Sequence, residues 1–163
     1  TVTEPFGMKT VFDLVKIKQR VYPVGRLDKN SEGLLFVTND GDLAHKLLHP
    51  SYGVKKKYLV CLNVNVNPAD IIKLKKGMVI ENRPVTVEEL VQTKPNEILV
   101  TIHEGRKHII RLIFKELGYI VTKLVRLEFG PIKLGNLKVG TWRYLTNSEV
   151  ELLLKEVNSS KKQ

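Results

Sequence analysis

The stretch Val24-Gly25-Arg26-Leu27-Asp28-Lys29-Asn30-Ser31-Glu32-Gly33-Leu34-Leu35-Phe36-Val37-Thr38 sets the terms for reading the rest of the chain. A polar, turn-rich loop bounded by Gly25 and Gly33 runs into an apolar segment, residues 34–38, of the length and composition of a buried strand. Within the loop, Asp28 stands between Arg26 and Lys29. Flanking positive charge keeps a carboxylate ionised, which is the state a nucleophile requires. Taken by itself, Asp28 reads more readily as a turn aspartate that bonds its own backbone.

Working outward, Asn39-Asp40-Gly41 supplies turn residues, and Asp42 is placed to cap a short helix over residues 43–48 that His49-Pro50 stops. Residues 58–62 alternate two faces and predict a strand behind Lys55, Lys56 and Lys57. Asn67-Pro68 starts a helix and Gly77 ends it. Strands are expected over residues 86–92 and 98–102, separated by Lys94-Pro95-Asn96. Residues 107–117 predict a helix with Ile109, Ile110, Ile113, Phe114 and Leu117 on one face, His108, Arg111 and Lys115 on the other, and Gly118 as its stop. Short strands follow over 125–129, 132–134 and 142–144. Thr146 and Glu149 have capping-box spacing for a last helix reaching about residue 157. Upstream, residues 1–7 read as extended chain and 10–14 as a helical turn. The pattern is α+β, strands dominating, with a domain over residues 1–157 and a basic, frayed tail over 158–163.

With 27 Lys+Arg against 17 Asp+Glu, the chain carries a formal charge of +10 over 163 residues, enough to favour a polyanionic partner. No apolar run approaches the roughly 20 residues that span a bilayer, and residues 1–9 lack a signal-peptide pattern. A single cysteine, Cys61, suits a reducing compartment; the expectation is a cytoplasmic monomer without a membrane role. His45 and His49 sit four apart, but no accompanying Glu or Cys completes a metal set, so no metal is expected. The glycines around Asp28 do not form a phosphate-cradling nucleotide loop, which speaks against ATP or NAD. Residues 104–111, Glu-Gly-Arg-Lys-His-Ile-Ile-Arg, either grip phosphate at a helix start or form a solvated basic face. Tyr58 offers a ring for base stacking or for the core.

Four blocks then acquire a joint meaning. Gly25-Arg26-Leu27-Asp28-x-x-Ser31-x-Gly33-Leu34-Leu35 followed by Thr38-Asn39-Asp40-Gly41, then Lys57-Tyr58-Leu59-Val60, then residues 104–111, then Gly130-Pro131-Ile132-x-Leu134-Gly135-x-Leu137-x-x-Gly140-x-Trp142-Arg143-x-Leu145-Thr146 resemble, in order and spacing, the bacterial RsuA-type pseudouridine synthases. That resemblance implies a pseudouridine synthase fold, a mainly antiparallel mixed sheet flanked by a few helices, with a catalytic cleft. It implies isomerisation of uridine in RNA, ribosomal RNA above all, with no cofactor. By the same resemblance Asp28 is the nucleophile, Tyr58 the ring that stacks on the uracil, and Arg111 the basic residue that pairs with the aspartate; Arg26 and Leu124 lie at the pocket. Lys55, Lys56, Lys57, Arg106 and Lys107 are the RNA-contact candidates, with Lys56 taken as solvated. The chain departs from the family pattern at Ser31, Ile109, Leu112, Thr122 and Val125. The family's amino-terminal RNA-binding domain is absent from this sequence, so an isolated catalytic domain or a shortened chain is expected. Attack at ribose C1′ and at uracil C6 remain open. The rival expectation is a non-catalytic RNA-binding or ribosome-associated module on the same fold.

Overall fold

The computed structural model describes residues 21–160 apart from Arg26, Asp28, Lys29 and Lys107; the expectations for residues 1–7 and 10–14 lie outside the described residues. β1 (Tyr22–Val24), β2 (Glu32–Gly33) and β3 (Phe36–Thr38) lead into α1 (Gly41–Leu48). The cap of α1 is Asp40, whose carboxylate accepts from Leu43 N at 3.1 Å, rather than Asp42. Gly41 enters the helix as its first residue, which places Asp42 inside the first turn, paired with Lys46 at 3.1 Å. His49 ends α1, and Pro50 starts a short 3-10 turn.

β4 (Lys56–Leu62) begins two residues earlier than the alternation indicated. α2 (Pro68–Lys76) is bounded as expected: Asn67 accepts from Ala69 N at 2.9 Å and Gly77 takes φ +95° past its end. A hairpin absent from the sequence reading follows, β5 (Met78–Ile80) and β6 (Arg83–Val85), turning through Glu81 and Asn82 at φ +52° and +64°. Two consecutive left-handed residues match the twist of a tight hairpin, yet a Glu in that place gives little sequence signal. β7 (Glu89–Lys94) and β8 (Glu97–Ile102), both expected as strands, pair as a hairpin, and α3 (Ile109–Glu116) buries Ile109, Ile110, Ile113 and Phe114. β9 (Val121–Phe129) is nearly twice the predicted length; β10 (Ile132–Lys133) returns beside it. Residues 142–144 form a loop rather than a strand, with the Trp142 and Tyr144 rings edge-to-face at 5.2 Å. α4 (Asn147–Ser160) runs to residue 160, three beyond the expected end.

The main sheet has the order β10-β9-β4-β8-β7, its neighbours antiparallel, with β2 added parallel to β9. This is the mixed, mainly antiparallel α+β architecture expected. One apolar cluster packs β4, β8 and β9 against α2 and α3, around Val60, Ile98, Ile113 and Phe114. A second joins β1, β3, α1 and α4 around Val24, Phe36, Leu47 and Val157, and takes in Phe129 from the end of β9. The register between β4 and β9 shifts between Lys57 and Tyr58, which sets Tyr58 opposite Arg126 and Lys56 opposite Phe129. Among the described residues no helix is long and apolar enough to cross a membrane.

Candidate active site

A cleft of about 350 Å³ opens where the two apolar clusters meet. Its floor is carried by two adjacent strands: Lys56 and Tyr58 on β4, Leu124, Arg126 and Phe129 on β9. Ile109 and Ile110 at the head of α3, the Glu104, Gly105 and Arg106 loop, and Leu48 close other sides. Gly25, Leu27 and Ser31, all from the loop that holds Asp28, complete the wall. The architecture thus brings Tyr58 and Leu124 to one cavity with that loop. Asp28 and Arg26 themselves, and Lys107, lie outside the described residues.

The loop leaves the cleft through a tightly fixed segment. β2 lies parallel to β9 with Gly33 opposite Arg126. A Cβ on Gly33 would stand 2.3 Å from the Arg126 carbonyl oxygen and 2.4 Å from its nitrogen, and Gly33 has φ +114°, so only glycine fits here. Leu34 N donates to the Arg126 carbonyl at 2.9 Å, and Arg126 Nε donates to the Leu34 carbonyl at 2.8 Å. Arg111, from α3, donates to the Asn30 carbonyl at 2.9 Å and to the Val121 carbonyl at 3.2 Å. Two arginines on different elements therefore hold the chain at Asn30 and Leu34, just downstream of Asp28. Arg111 is not among the described residues lining the cleft; what it does in the structure is tie the loop to the start of β9.

The basic residues divide by environment. Lys55 is exposed, and Lys57 pairs with Glu128 at 3.3 Å. Lys56, expected to be solvated, is instead buried at 5% exposure, because β4 turns it inward onto the Phe129 ring. Burial first, and Arg126 second, push its pKa down to about 8, while Glu104 pulls the other way. Arg106 is engaged with the protein itself. Its guanidinium pairs with Glu104 through Nε and Nη2 and donates to the carbonyls of Ile80 at 2.7 Å and Pro84 at 3.4 Å. The short hydrogen bond to Glu104 holds its pKa above the ordinary value.

Arg126 is the site residue the sequence reading missed. It is 4% exposed, its Cζ lies 5.1 Å from the Phe129 ring centroid, and its buried Nη2 has no hydrogen-bond partner among the described residues. The only signal was a lone cation in the apolar run Leu124-Val125-Arg126-Leu127. Elsewhere, His45 and His49 set their rings 5.2 Å apart, and among the described residues no three ligand-type side chains gather.

Fold and cleft together define a protein that can hold a planar ring between apolar walls and buried cations. The family model described as RNA pseudouridylate synthase matches residues 9–116, and the chain belongs to that family. An uncharacterized RNA pseudouridine synthase of Aquifex aeolicus (strain VF5) is 42% identical over 158 residues, which is 94% of this chain and 64% of that protein. Ribosomal large subunit pseudouridine synthase B of Bacillus subtilis (strain 168) is 39% identical over 155 residues, 90% of this chain and 63% of that one; this accords with the RsuA-type resemblance. A solved structure titled crystal structure of pseudouridylate synthase superposes with a TM-score of 0.84 at 30% identity, covering 88% of this chain and 65% of its own. The chain thus spans just under two thirds of the length of these relatives.

Proposed function

We propose that this chain isomerises uridine to pseudouridine in RNA, with Asp28 as the nucleophile and ribosomal RNA, in the cytoplasm, as the substrate. The observation that carries the reading is the cleft, which sets Tyr58 and Leu124 beside the loop of Asp28 and is roomy enough for one extruded base. Flipping a uridine out of a folded RNA costs a few kcal/mol, offset by stacking on a ring such as Tyr58 and by phosphate contacts outside. The anchors fix the chain at Asn30 and Leu34 before substrate arrives, so part of the ordering cost there is met in advance. The net reaction breaks an N-glycosidic bond and rejoins the same ring through carbon, so it requires no oxidant and no energy source. The ribosomal assignment is supported by the name of the Bacillus relative. Asp28→Asn is expected to retain folding and RNA binding but lose tritium release from C5-tritiated uridine RNA; release at the wild-type rate would remove Asp28 from the role.

A further inference from the structure

The cleft floor holds something the isomerase reading does not use: two buried cations that share one aromatic ring. Lys56 Nζ lies 5.2 Å from the Phe129 ring centroid and Arg126 Cζ lies 5.1 Å from the same centroid. Both residues line the cleft, and both are at least 95% buried. The carboxylate that faces Lys56 among the described residues is Glu104, already held by Arg106 through two nitrogens. Arg126 has given Nε to the Leu34 carbonyl and keeps Nη2 without a partner among the described residues. Two cations this far from water, with no dedicated counter-charge among the described residues, are a costly arrangement unless acceptors are supplied from elsewhere, as a ligand can.

We propose that Lys56 and Arg126 form the reader of the base, donating to the ring carbonyl oxygens of the extruded uracil and holding the negative charge the ring acquires during reaction. The proposal rests on the isomerase reading and deepens it. Lysine and arginine offer donors only, so a ring edge of carbonyl acceptors satisfies them. Cytosine turns an exocyclic amino group toward the same place and leaves donor against donor, which is how a polar pocket rejects a near-isostere. The charge argument holds for either route of attack. If the carboxylate adds to C6, the new O–C6 bond forms as the C5=C6 electron pair moves through C4 onto O4. If it attacks C1′, the O–C1′ bond forms as C1′–N1 breaks, and that pair spreads over N1, O2 and O4 of the departing ring. Both routes load the carbonyl oxygens, where fixed cations in a water-poor cleft stabilise the developing charge best.

The test uses the 163-residue chain and needs no turnover. 5-Nitrouracil, which ionises more readily than uracil, is titrated calorimetrically above its own ionisation pH, beside 1,3-dimethyl-5-nitrouracil, which cannot ionise. The wild type is expected to bind the anion at least about tenfold more tightly, the worth of one hydrogen bond to a charged group. Lys56→Met is expected to lose that preference and Lys56→Arg to keep it, with thermal unfolding showing that both are folded. Equal affinity of the wild type for the two rings, no saturable binding of the anion at millimolar concentration, or an unchanged preference in Lys56→Met would each overturn the proposal. Loss of isomerase activity is read in a separate RNA assay. A chain that binds the anion selectively but converts no uridine sinks the catalytic reading, and of this proposal leaves only the recognition of the uracil ring standing.

Discussion

Lys56 shows how a single side chain can work against the fold that holds it. Unfolded, its ammonium keeps its proton to about pH 10.5; folded, the pKa is about 8. Between those values the folded chain binds fewer protons than the unfolded one, so stability rises with pH across that window. Below about pH 8 the whole penalty is present, on the order of 3 kcal/mol at about 1.4 kcal/mol per unit. Lys56→Met, similar in volume and free of charge, is therefore expected to raise stability at pH 7 by about 2–3 kcal/mol. Urea unfolding at pH 7 and pH 10 checks this, since the gain should shrink toward the higher pH; a gain equal at both would refute the origin assigned to it. Burial of this kind escapes a sequence. Lys55, Lys56 and Lys57 read as one run of RNA-contact candidates, and only the register of β4 against β9 separates an exposed, a buried and an ion-paired lysine. Tyr58 and Leu124 were legible through the resemblance, whereas Arg126 was hidden in an apolar run where one cation looks incidental.

At the scale of elements, the termini were legible where side chains cap them. The reciprocal bonds Glu149 N to Thr146 Oγ1 at 3.1 Å and Thr146 N to Glu149 Oε1 at 2.9 Å realise the capping box read from spacing alone. Arg143 adds bonds of 2.7 and 2.9 Å to the Glu149 carboxylate and, as the largest cause, lowers its pKa to about 2. Thr146→Ala should cost about 1 kcal/mol. Because the Glu149 pKa is depressed, its contribution is present above its ordinary 4.5 and is lost as pH falls through about 2, so Glu149→Gln should lessen the acid-induced loss of stability over that range. A denaturation series from pH 7 to pH 2 measures both. What spacing could not supply was pairing. The β5–β6 hairpin turns on backbone angles, and β9 is long because β2, β4 and β10 all bond to it, a tertiary cause. The clamp of α3 and β9 on the Asp28 loop belongs to this scale too. Arg111→Leu removes two charge-assisted bonds to Asn30 and Val121, each worth about 1.5–3 kcal/mol. It is expected to lower kcat on uridine RNA at least about tenfold, against little change for the exposed Lys55→Ala; equal kcat losses would show that anchoring the loop is irrelevant to the chemistry.

For the whole molecule, a charge of +10 favours a polyanionic partner but does not say where it would dock. The structure sorts the cations by what already occupies them. Arg106 is tied to Glu104 and two carbonyls, Lys57 to Glu128, and Lys56 is inside the cleft. Lys55 is exposed on the approach to β4, and Lys123 and Lys133 are exposed on or beside β9. Each cation that meets a phosphate releases counterions, so the logarithm of affinity falls linearly with the logarithm of salt, by roughly 0.7–0.9 per contact. Replacing Lys55 with Ala should therefore weaken RNA binding and reduce that slope by about one contact. Arg106→Gln should leave the slope unchanged and lower stability instead, because its guanidinium is engaged with Glu104, Ile80 and Pro84 rather than offered to solvent. Filter binding of one structured RNA across a salt series, with unfolding curves for the same proteins, measures both. A reduced slope in Arg106→Gln would mean that the ion pair with Glu104 opens to let the arginine reach phosphate. The 104–108 loop would then move on binding, and the cleft wall formed by Glu104 and Gly105 would move with it.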